Sequence, residues 1–573
     1  MAHSWPDDSK FKLLTLEVLD RTCGFCGVET YVKDYKRRPV YLLEGPTRVM
    51  SQMTLCPEAA CPGHHRLMVA EEDTLIAPPW WILGWDVFAY LGHRRFARHM
   101  SVPELREDLV EGYEINLSED SIEDYIGRYR AILAARQRDP EQLKKDYRSV
   151  KGLILSIDGL QPEKGHETLY TVRELNAKRV WFAVPLLSSS HDEVRKLLVE
   201  SRAWAKSLGR PVLGWVTDKQ DAFVSGIAEV FPGVPHRYCQ NHFLRDVAAP
   251  VLEADSHAKV QMRKKVRGLR AIEKDILEIR SEASPAAKAQ EKKDTPRKYQ
   301  EPQKPAKPED KNEIVLEYCA AVRGILNKNQ GGPLDPPGLR MAEGLKEVRA
   351  SIQKNIDARQ GGVAEKNLKR LAGCIDRGIE EVATALEKIP CYVDDLRSVH
   401  RTLDPQTGTA TRRKAAFQQI YTRLRQSGDA TRQAMAVVME SFKTGLFAGG
   451  NSLATLQDNL DLERWFRLPK AHQRKIHGRQ HAGVSIVHEG PSLVLALDAH
   501  HSHPRPFTED ELKPYLGAMP TAEEIEAIER RKTMRRGASR RSRPGLLENL
   551  EVRYGGKRRP GRRSKSGSHV PVG

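Results

Sequence analysis

Two apolar runs in this chain each end in an aspartate. "KGLILSIDG" closes on Asp158, and "PVLGWVTDKQ" carries Asp218 just past its apolar part. Runs of this length read as buried strands. A carboxylate at the end of such a strand is rigidly held and still reaches solvent. Between the two lie "HETLYTVREL" and "RVWFAVPLL", two more strand-like runs, and then a helical stretch from roughly His191 to Leu208. The spacing predicts a three-strand antiparallel meander, a helix and a fourth strand. One strand ending in Asp often does no more than start a turn. Two in this order constrain the fold far more, because adjacent carboxylates suit hard divalent cations, and phosphoryl chemistry uses such ions in pairs.

Strand-Asp, two strands, helix, strand-Asp is the first half of a ribonuclease-H-like fold. The segment "TDKQDAFVSGIAEVFPGVPHRYCQNHFLRDV" then adds a helix, an FP turn, a strand and a Cys-x-x-His pair, Cys239 and His242. It resembles the second catalytic segment of DDE transposases of bacterial insertion sequences, similar to the Mutator-like group. The resemblance implies a third acid, a Glu on a helix that follows a large all-helical insertion. "NLDLERWFRLPKAHQRKIHGRQ" is similar to that segment and puts the role on Glu463, with Asp461 and Glu440 as rivals. Asp158, Asp218 and Glu463 would then bind two Mg2+ ions, with Mn2+ as a substitute, and Cys239 and His242 would shape the site. The resemblance covers about residues 150–250 and 455–485. The stretch between, about Val251 to Leu456, matches only in position and helical character.

The first 75 residues carry a different metal pattern. "RTCGFCG" places Cys23 and Cys26 on one tight turn, and "TLCPEAACPGHH" follows with Cys56 and Cys61. Four soft ligands in two close pairs suit a closed tetrahedral zinc site. His64 or His65 is an alternative to Cys56. A zone this short, with strand-like "RPVYLLEG" and "TRVMSQMTL", has little core, and a structural ion would help it fold. Cys319, Cys374 and Cys391 lie in helical sequence and are expected as buried core thiols.

Residues 78–148 read as helices. Ser101 and Glu104 form a capping-box signal, Gly112 offers a stop, and Ser118 can cap a second helix. Its apolar face is Ile122, Tyr125, Ile126, Tyr129 and Ile132. Helix, short turn, helix is the spacing of a DNA-reading helix-turn-helix, and equally of a plain bundle. In the insertion, Leu368, Leu371, Ile375, Ile379 and Val382 recur at helical spacing. Residues 281–310 hold five prolines and almost no apolar side chains, which predicts a linker.

The formal net charge is +17, and the segment from Arg530 to Gly573, with 15 Lys or Arg against two acids, carries +13 of it. Charge so concentrated points to a polyanion. The expected DNA contacts are Arg128, Arg464, Arg467, Lys470, Arg535, Arg536, Arg540 and Arg541.

The expected architecture is a multidomain α+β chain. A zinc-ribbon-like module (1–75) precedes a helix-turn-helix domain (78–148). A ribonuclease-H-like α/β core (150–250 and 456–505) is interrupted by an all-helical insertion (251–455, with the linker at 281–310). A basic disordered tail (506–573) ends it. The expected activity is transposition: recognition of terminal inverted repeats, metal-dependent strand cleavage, and transfer to target DNA, by a homodimer on DNA. The alternatives are a transposase-derived DNA-binding protein without cleavage, and a nuclease that does not join strands. No secretory signal and no run of about 18 apolar residues is present, so the expected setting is the bacterial cytoplasm and nucleoid, with no membrane partner.

Overall fold

The computed structural model describes residues 5–161, 166–266, 268–288, 311–328, 330–358, 361–456, 458–478, 481–519 and 522–555. The protein is mixed α/β, with two mixed sheets and a cysteine cluster near the N-terminus. It divides into two units. The first is Met1–Trp215, Asp221–Val234 and Leu460–Gly573; the second is Val216–Gln220 and Pro235–Asn459.

The first unit opens with a small sheet of β1 (Lys12–Leu16), β2 (Tyr31–Leu42), β3 (Gly45–Leu55) and β4 (Met68–Val69), with β3 at its centre. β1 runs parallel to β3, and β2 and β4 run antiparallel to it. The core under this sheet is slight, essentially Leu16, Val18, Val40, Val49, Ala70 and Ala77. Helices α1 (Glu72–Ile76), α2 (Trp85–Phe96), α3 (Val102–Tyr113), α4 (Glu119–Arg138) and α5 (Pro140–Asp146) follow. The Ser101–Glu104 capping box forms, and Ser118 caps α4 by accepting from the Ser121 N–H. The stop of α3 falls at Tyr113 rather than Gly112, with Glu114 taking the left-handed conformation (φ 55°). Ile122, Ile126, Tyr129 and Ile132 are buried, as their spacing requires.

The meander forms. β5 (Leu153–Leu160), β6 (Thr168–Glu174) and β7 (Arg179–Leu186) pair antiparallel in sequence order. Helix α6 (His191–Leu208) leads to β8 (Val212–Thr217), which lies beside β5. The two strands start together, for the Leu153 N–H donates to the Pro211 carbonyl at 2.9 Å. Helix α7 (Asp221–Val230) packs against α6.

The second unit begins with the last two residues of β8, beside β9 (His236–Tyr238). Its helices are α8 (Gln240–Lys265), α9 (Leu269–Lys288), α10 (Lys311–Asn327), α11 (Pro337–Asp357), α12 (Gly362–Glu380), α13 (Ala383–Leu403), α14 (Ala410–Arg425) and α15 (Ala430–Leu446). Leu368, Leu371 and Ile375 are buried at their helical spacing on α12, and Val382 is buried at the break before α13. Cys319 and Cys374 are buried as expected, but Cys391 is exposed, since it falls on the outer face of α13. Of the expected linker, residues 281–288 continue α9, where Glu282 and three alanines, Ala283, Ala286 and Ala287, favour helix; residues 289–310 lie outside the described residues. Arg237 of β9 is fully buried and donates to the carbonyls of Ala448, Gly450, Leu453 and Leu456, which ties the end of the insertion to its beginning.

The chain returns to the first unit through α16 (Leu460–Trp465), α17 (Arg467–His477), α18 (Gly483–Glu489) and α19 (Pro491–Ser502), and then α20 (Glu509–Leu512), α21 (Ala522–Ala538) and α22 (Arg543–Tyr554). α19 is apolar nearly all round and packs against both α4 and β7. Through it one continuous core joins Leu91, Tyr129 and Leu133 to Val180, Leu462 and Leu495. The expectation of a disordered tail from residue 506 is corrected up to Tyr554. Phe507, Leu512 and Leu546 are buried and so is Arg531, which gives this basic segment apolar and ionic anchors. Residues 556–573 lie outside the described residues. Among the described residues no helix is long and apolar enough to cross a membrane.

Four histidines gather in this core. The Tyr129 hydroxyl meets His500 Nε2 at 2.9 Å, His99 Nδ1 meets His472 Nδ1 at 3.0 Å, and His93 Nε2 meets the Pro504 carbonyl at 2.9 Å. Burial pushes His472 down to about 2 and His500 down to about 3. A histidine that stays neutral when folded takes up no proton where the unfolded chain does, below about 6.5. Its contribution to stability is complete above that pH and is lost as the pH falls toward the folded value, at about 1.4 kcal/mol per pH unit. Replacing His500 by Gln should therefore narrow the difference in unfolding free energy between pH 6 and pH 4 by roughly 2–3 kcal/mol, read by urea unfolding at the two pH values.

Candidate functional site

The four N-terminal cysteines come together. Cys23 Sγ lies 3.8 Å from Cys61 Sγ and Cys26 Sγ lies 3.5 Å from Cys56 Sγ, with all four sulfurs within 4.8 Å of one another. A tetrahedral zinc with bonds near 2.3 Å holds its sulfurs about 3.8 Å apart, so the quartet fits that ion. Its first half is a turn, closed by the Gly27 N–H on the Cys23 carbonyl, and Gly27 takes φ 74°. Its second half is a short 3-10 turn capped by Cys61, whose sulfur accepts from the Gly63 N–H at 3.3 Å. The N–H groups of Phe25 and Cys26 hold the Cys23 thiol down to about 7, whereas burial pushes Cys56 up to about 12. His64 and His65 do not replace Cys56. His64 Nδ1 is engaged by the Cys56 carbonyl at 2.8 Å, and His65 is exposed.

Gly63 is part of this geometry, because a Cβ there would sit 2.7 Å from Cys23 Sγ. At Gly24, also inside the motif, an added Cβ meets nothing within 4 Å. Gly63→Ala should lower zinc content and the melting temperature of the N-terminal module, while Gly24→Ala retains both. Metal analysis of the purified variants by mass spectrometry reads the difference.

In the first unit, Asp158 is half-buried on β5 opposite Thr171 of β6, and its Oδ1 accepts from the Gly159 N–H at 2.7 Å. Gly159 is required by close approach, since a Cβ there would meet Thr168 at 2.7 Å and Tyr170 at 3.1 Å. Helix α16, which carries both Asp461 and Glu463, packs against β5. Arg173 of β6 is 2% exposed and sets that packing. Its Nε donates to Asp461 at 2.6 Å and its Nη1 to Asp498 at 3.0 Å, and its guanidinium lies over Trp465. Asp498 is fully buried on α19 and also accepts from the Val180 N–H at 2.9 Å; burial raises its carboxyl and the nearby arginine opposes the rise. Asp461 is thus a structural partner of Arg173. The other rival, Glu440, is exposed on α15, 3.7 Å from Lys443.

Sequence alone did not point to Arg173 or Asp498. The available signal was a charged residue inside each of two otherwise apolar runs, "TLYTVREL" and "LVLALDAHH". Removing one partner of a buried ion pair leaves the other charge uncompensated. Arg173→Met should cost about 3–5 kcal/mol, and the double replacement Arg173→Met, Asp498→Leu should recover a large part of it. Thermal and urea melts of the two variants test this.

In the second unit, Asp218 stands one residue past the end of β8. Burial raises its carboxyl, opposed first by His242 and also by the Gln220 N–H and Arg245. Cys239 is fully buried. Its N–H donates to the Thr217 carbonyl at 2.8 Å, and its sulfur accepts from the Asn459 N–H at 3.3 Å. Cys239 also caps α8, whose first turn carries His242. The Cys-x-x-His pair is therefore built into the backbone around Asp218. Asn459 immediately precedes α16, so the thiol also fixes where the insertion ends. Lys219, next to Asp218, lies 5.2 Å from the centre of the Phe442 ring.

The expected DNA-contact residues fall in three places. Arg128 is exposed on α4, over Trp81 and Tyr125. Arg464 and Arg467 are exposed and Lys470 is half-buried. Arg464 shares α16 with Glu463, whereas Arg467 and Lys470 lie on α17, because the helix breaks at Phe466. Pro469 has no N–H to reach the Trp465 carbonyl, so a new helix starts and takes the proline in its first turn. Arg535, Arg536, Arg540 and Arg541 are exposed on and just after α21. No protein-family model matches the chain, and no curated protein matches it.

Proposed function

We propose that the chain is a DNA transposase of the DDE type, with a ribonuclease-H-like core, that cuts the ends of a mobile element and joins them to target DNA. The observation that carries this reading is the setting of the acids. Asp158 lies five residues into β5 and Asp218 one residue past β8, the strand beside it, and these strands start together at Leu153 and Pro211. Glu463 rides on α16, which packs on β5 and whose other acid is held by Arg173. Order and spacing of acids, strands and helices agree with the resemblance read from the sequence.

Asp158, Asp218 and Glu463 would hold two Mg2+ ions, which supply activation of the attacking oxygen and stabilisation of the leaving one. What supports the choice of ion is donor type alone: carboxylate oxygens are hard ligands that suit Mg2+ better than thiolate does. The residues' own part is positional. β5 and β8 keep two carboxylates rigid, Arg173 fixes the helix that carries the third, and Cys239 and His242 brace the backbone around Asp218. The quartet of Cys23, Cys26, Cys56 and Cys61 would stabilise an N-terminal zinc-ribbon-like module. With α3 and α4 as a helix-turn-helix, that module would recognise the terminal inverted repeats, and two copies of the chain would bring the two ends together.

The test is a cleavage assay with the purified chain, Mg2+ and DNA bearing the ends of the element that encodes it. Asp158→Asn, Asp218→Asn and Glu463→Gln should each lower cutting on the order of 10³-fold or more, with DNA affinity retained. Cutting that survives Glu463→Gln would remove that residue from the triad. Tight binding to the ends with no cutting in Mg2+ or Mn2+ would favour a DNA-binding protein descended from a transposase. Cutting without joining would favour a nuclease.

A further inference from the structure

The basic segment that follows Ala522 is locked to the body of the first unit. Glu167, one residue before β6, is 4% exposed, and both Arg530 and Arg531 of α21 reach it. The Arg530 Nε donates to Glu167 Oε1 at 2.7 Å. Arg531 is 3% exposed and also donates to the His488 carbonyl at 2.8 Å. It fills the space over Gly490, where an added Cβ would lie 2.9 Å from the guanidinium and where the backbone takes φ 73°. Arg543 closes the other end of α21 by donating to the Gly537 carbonyl at 2.6 Å.

The latch has a defined address. Thr171 of β6 is the register partner of Asp158, and Glu167 lies four residues before it. At strand rise that is about 14 Å. One helical turn beyond Arg531, about 6 Å along the axis, begins a run of exposed arginines: Arg535, Arg536, Arg540 and Arg541. All four are exposed, and among the described residues no carboxylate forms an ion pair with any of them. Guanidinium groups, with their planar forked donors, match phosphate oxygens.

We propose that Arg535, Arg536, Arg540 and Arg541 form a fixed phosphate-gripping edge for duplex DNA, held by the Glu167–Arg530–Arg531 latch beside the Asp158 end of β5. This rests on the proposed DNA-cutting function for the identity of the polyanion. It differs from a free basic arm in one measurable respect. Loss of the Glu167 charge would strengthen DNA binding by a free arm, since a negative charge disappears. For a latched edge it weakens binding, because the arginines lose their fixed placement.

The experiment measures binding of the full chain to a labelled 30-base-pair duplex across a salt series. Replacing the four arginines by Ala should flatten the slope of log affinity against log salt by about 3 to 4, near 0.9 for each phosphate no longer neutralised. Glu167→Gln should weaken binding several-fold, with circular dichroism confirming that both variants remain folded. The four replacements lie on the surface, so that variant tests the edge even if Glu167→Gln fails to fold. A slope unchanged by the four replacements, in a chain that binds duplex normally, overturns the edge and leaves the proposed function standing. Unchanged or tighter binding by Glu167→Gln overturns the latch. Loss of binding to phosphatidylserine vesicles without any loss on duplex assigns the arginines to a lipid surface and overturns the proposal. Failure of the unaltered chain to bind any duplex overturns the edge and the proposed function together.

Discussion

A single buried guanidinium determines where α16 sits against the sheet. Arg173 lies on β6, one strand from Asp158, and holds Asp461 on α16 and Asp498 on α19 at once. Buried charge of this kind contributes little net stability compared with apolar packing. What it contributes is position: β6, α16 and α19 can meet in one arrangement only, because any other leaves a charge buried without a partner. The apolar packing of α19 on α4 and β7 then carries that arrangement outward to the helices that precede the sheet.

The second unit uses a neutral version of the same device. The stretch from Cys239 to Asn459, 220 positions apart, is closed at Cys239, whose N–H is tied to Thr217 and whose sulfur is tied to Asn459. Arg237 reinforces the closure through backbone carbonyls alone. A guanidinium has five donors and no acceptor, and so it can satisfy a set of turn carbonyls that no regular helix or strand would pair. The cysteine quartet near the N-terminus solves a different problem. Its sheet has a slight core, and its four clustered thiols are soft ligands that could bind a zinc ion and so hold the module together.

Much of this was readable from the sequence. The meander, α6, β8, the capping box of α3 and the cysteine quartet follow from local signals: period-two or continuous apolar runs, a Ser–Glu pair three apart, and two short Cys spacings. What escaped detection was non-local. Nothing near Asp461 says that it belongs to Arg173, 288 residues earlier, and so it stood as a rival to Glu463. The tail reads as disordered because its composition is basic and polar, yet two arginines meeting one buried glutamate 363 residues away suffice to dock a helix. The break between α16 and α17 is visible as Pro469, but that it puts Glu463 and Arg467 on separate helices depends on where the first helix begins. Cys391 shows the converse error, in which an apolar residue type was expected inside although its helix turns it out.

The span between Arg173 and its partners also sets an order of events during synthesis. Asp461 and Asp498 follow Arg173 by 288 and 325 residues. At translation rates of about 5–20 residues per second they emerge roughly 15–60 s later. Through that interval the meander exists without α16 or α19, with one face of β7 uncovered and a buried-type arginine still in water. The insertion has time to fold first. A nascent chain of this kind presents a sheet without its helix cover for most of its synthesis, so chaperone occupancy should be concentrated on the stretch between β7 and α19 rather than on the finished protein.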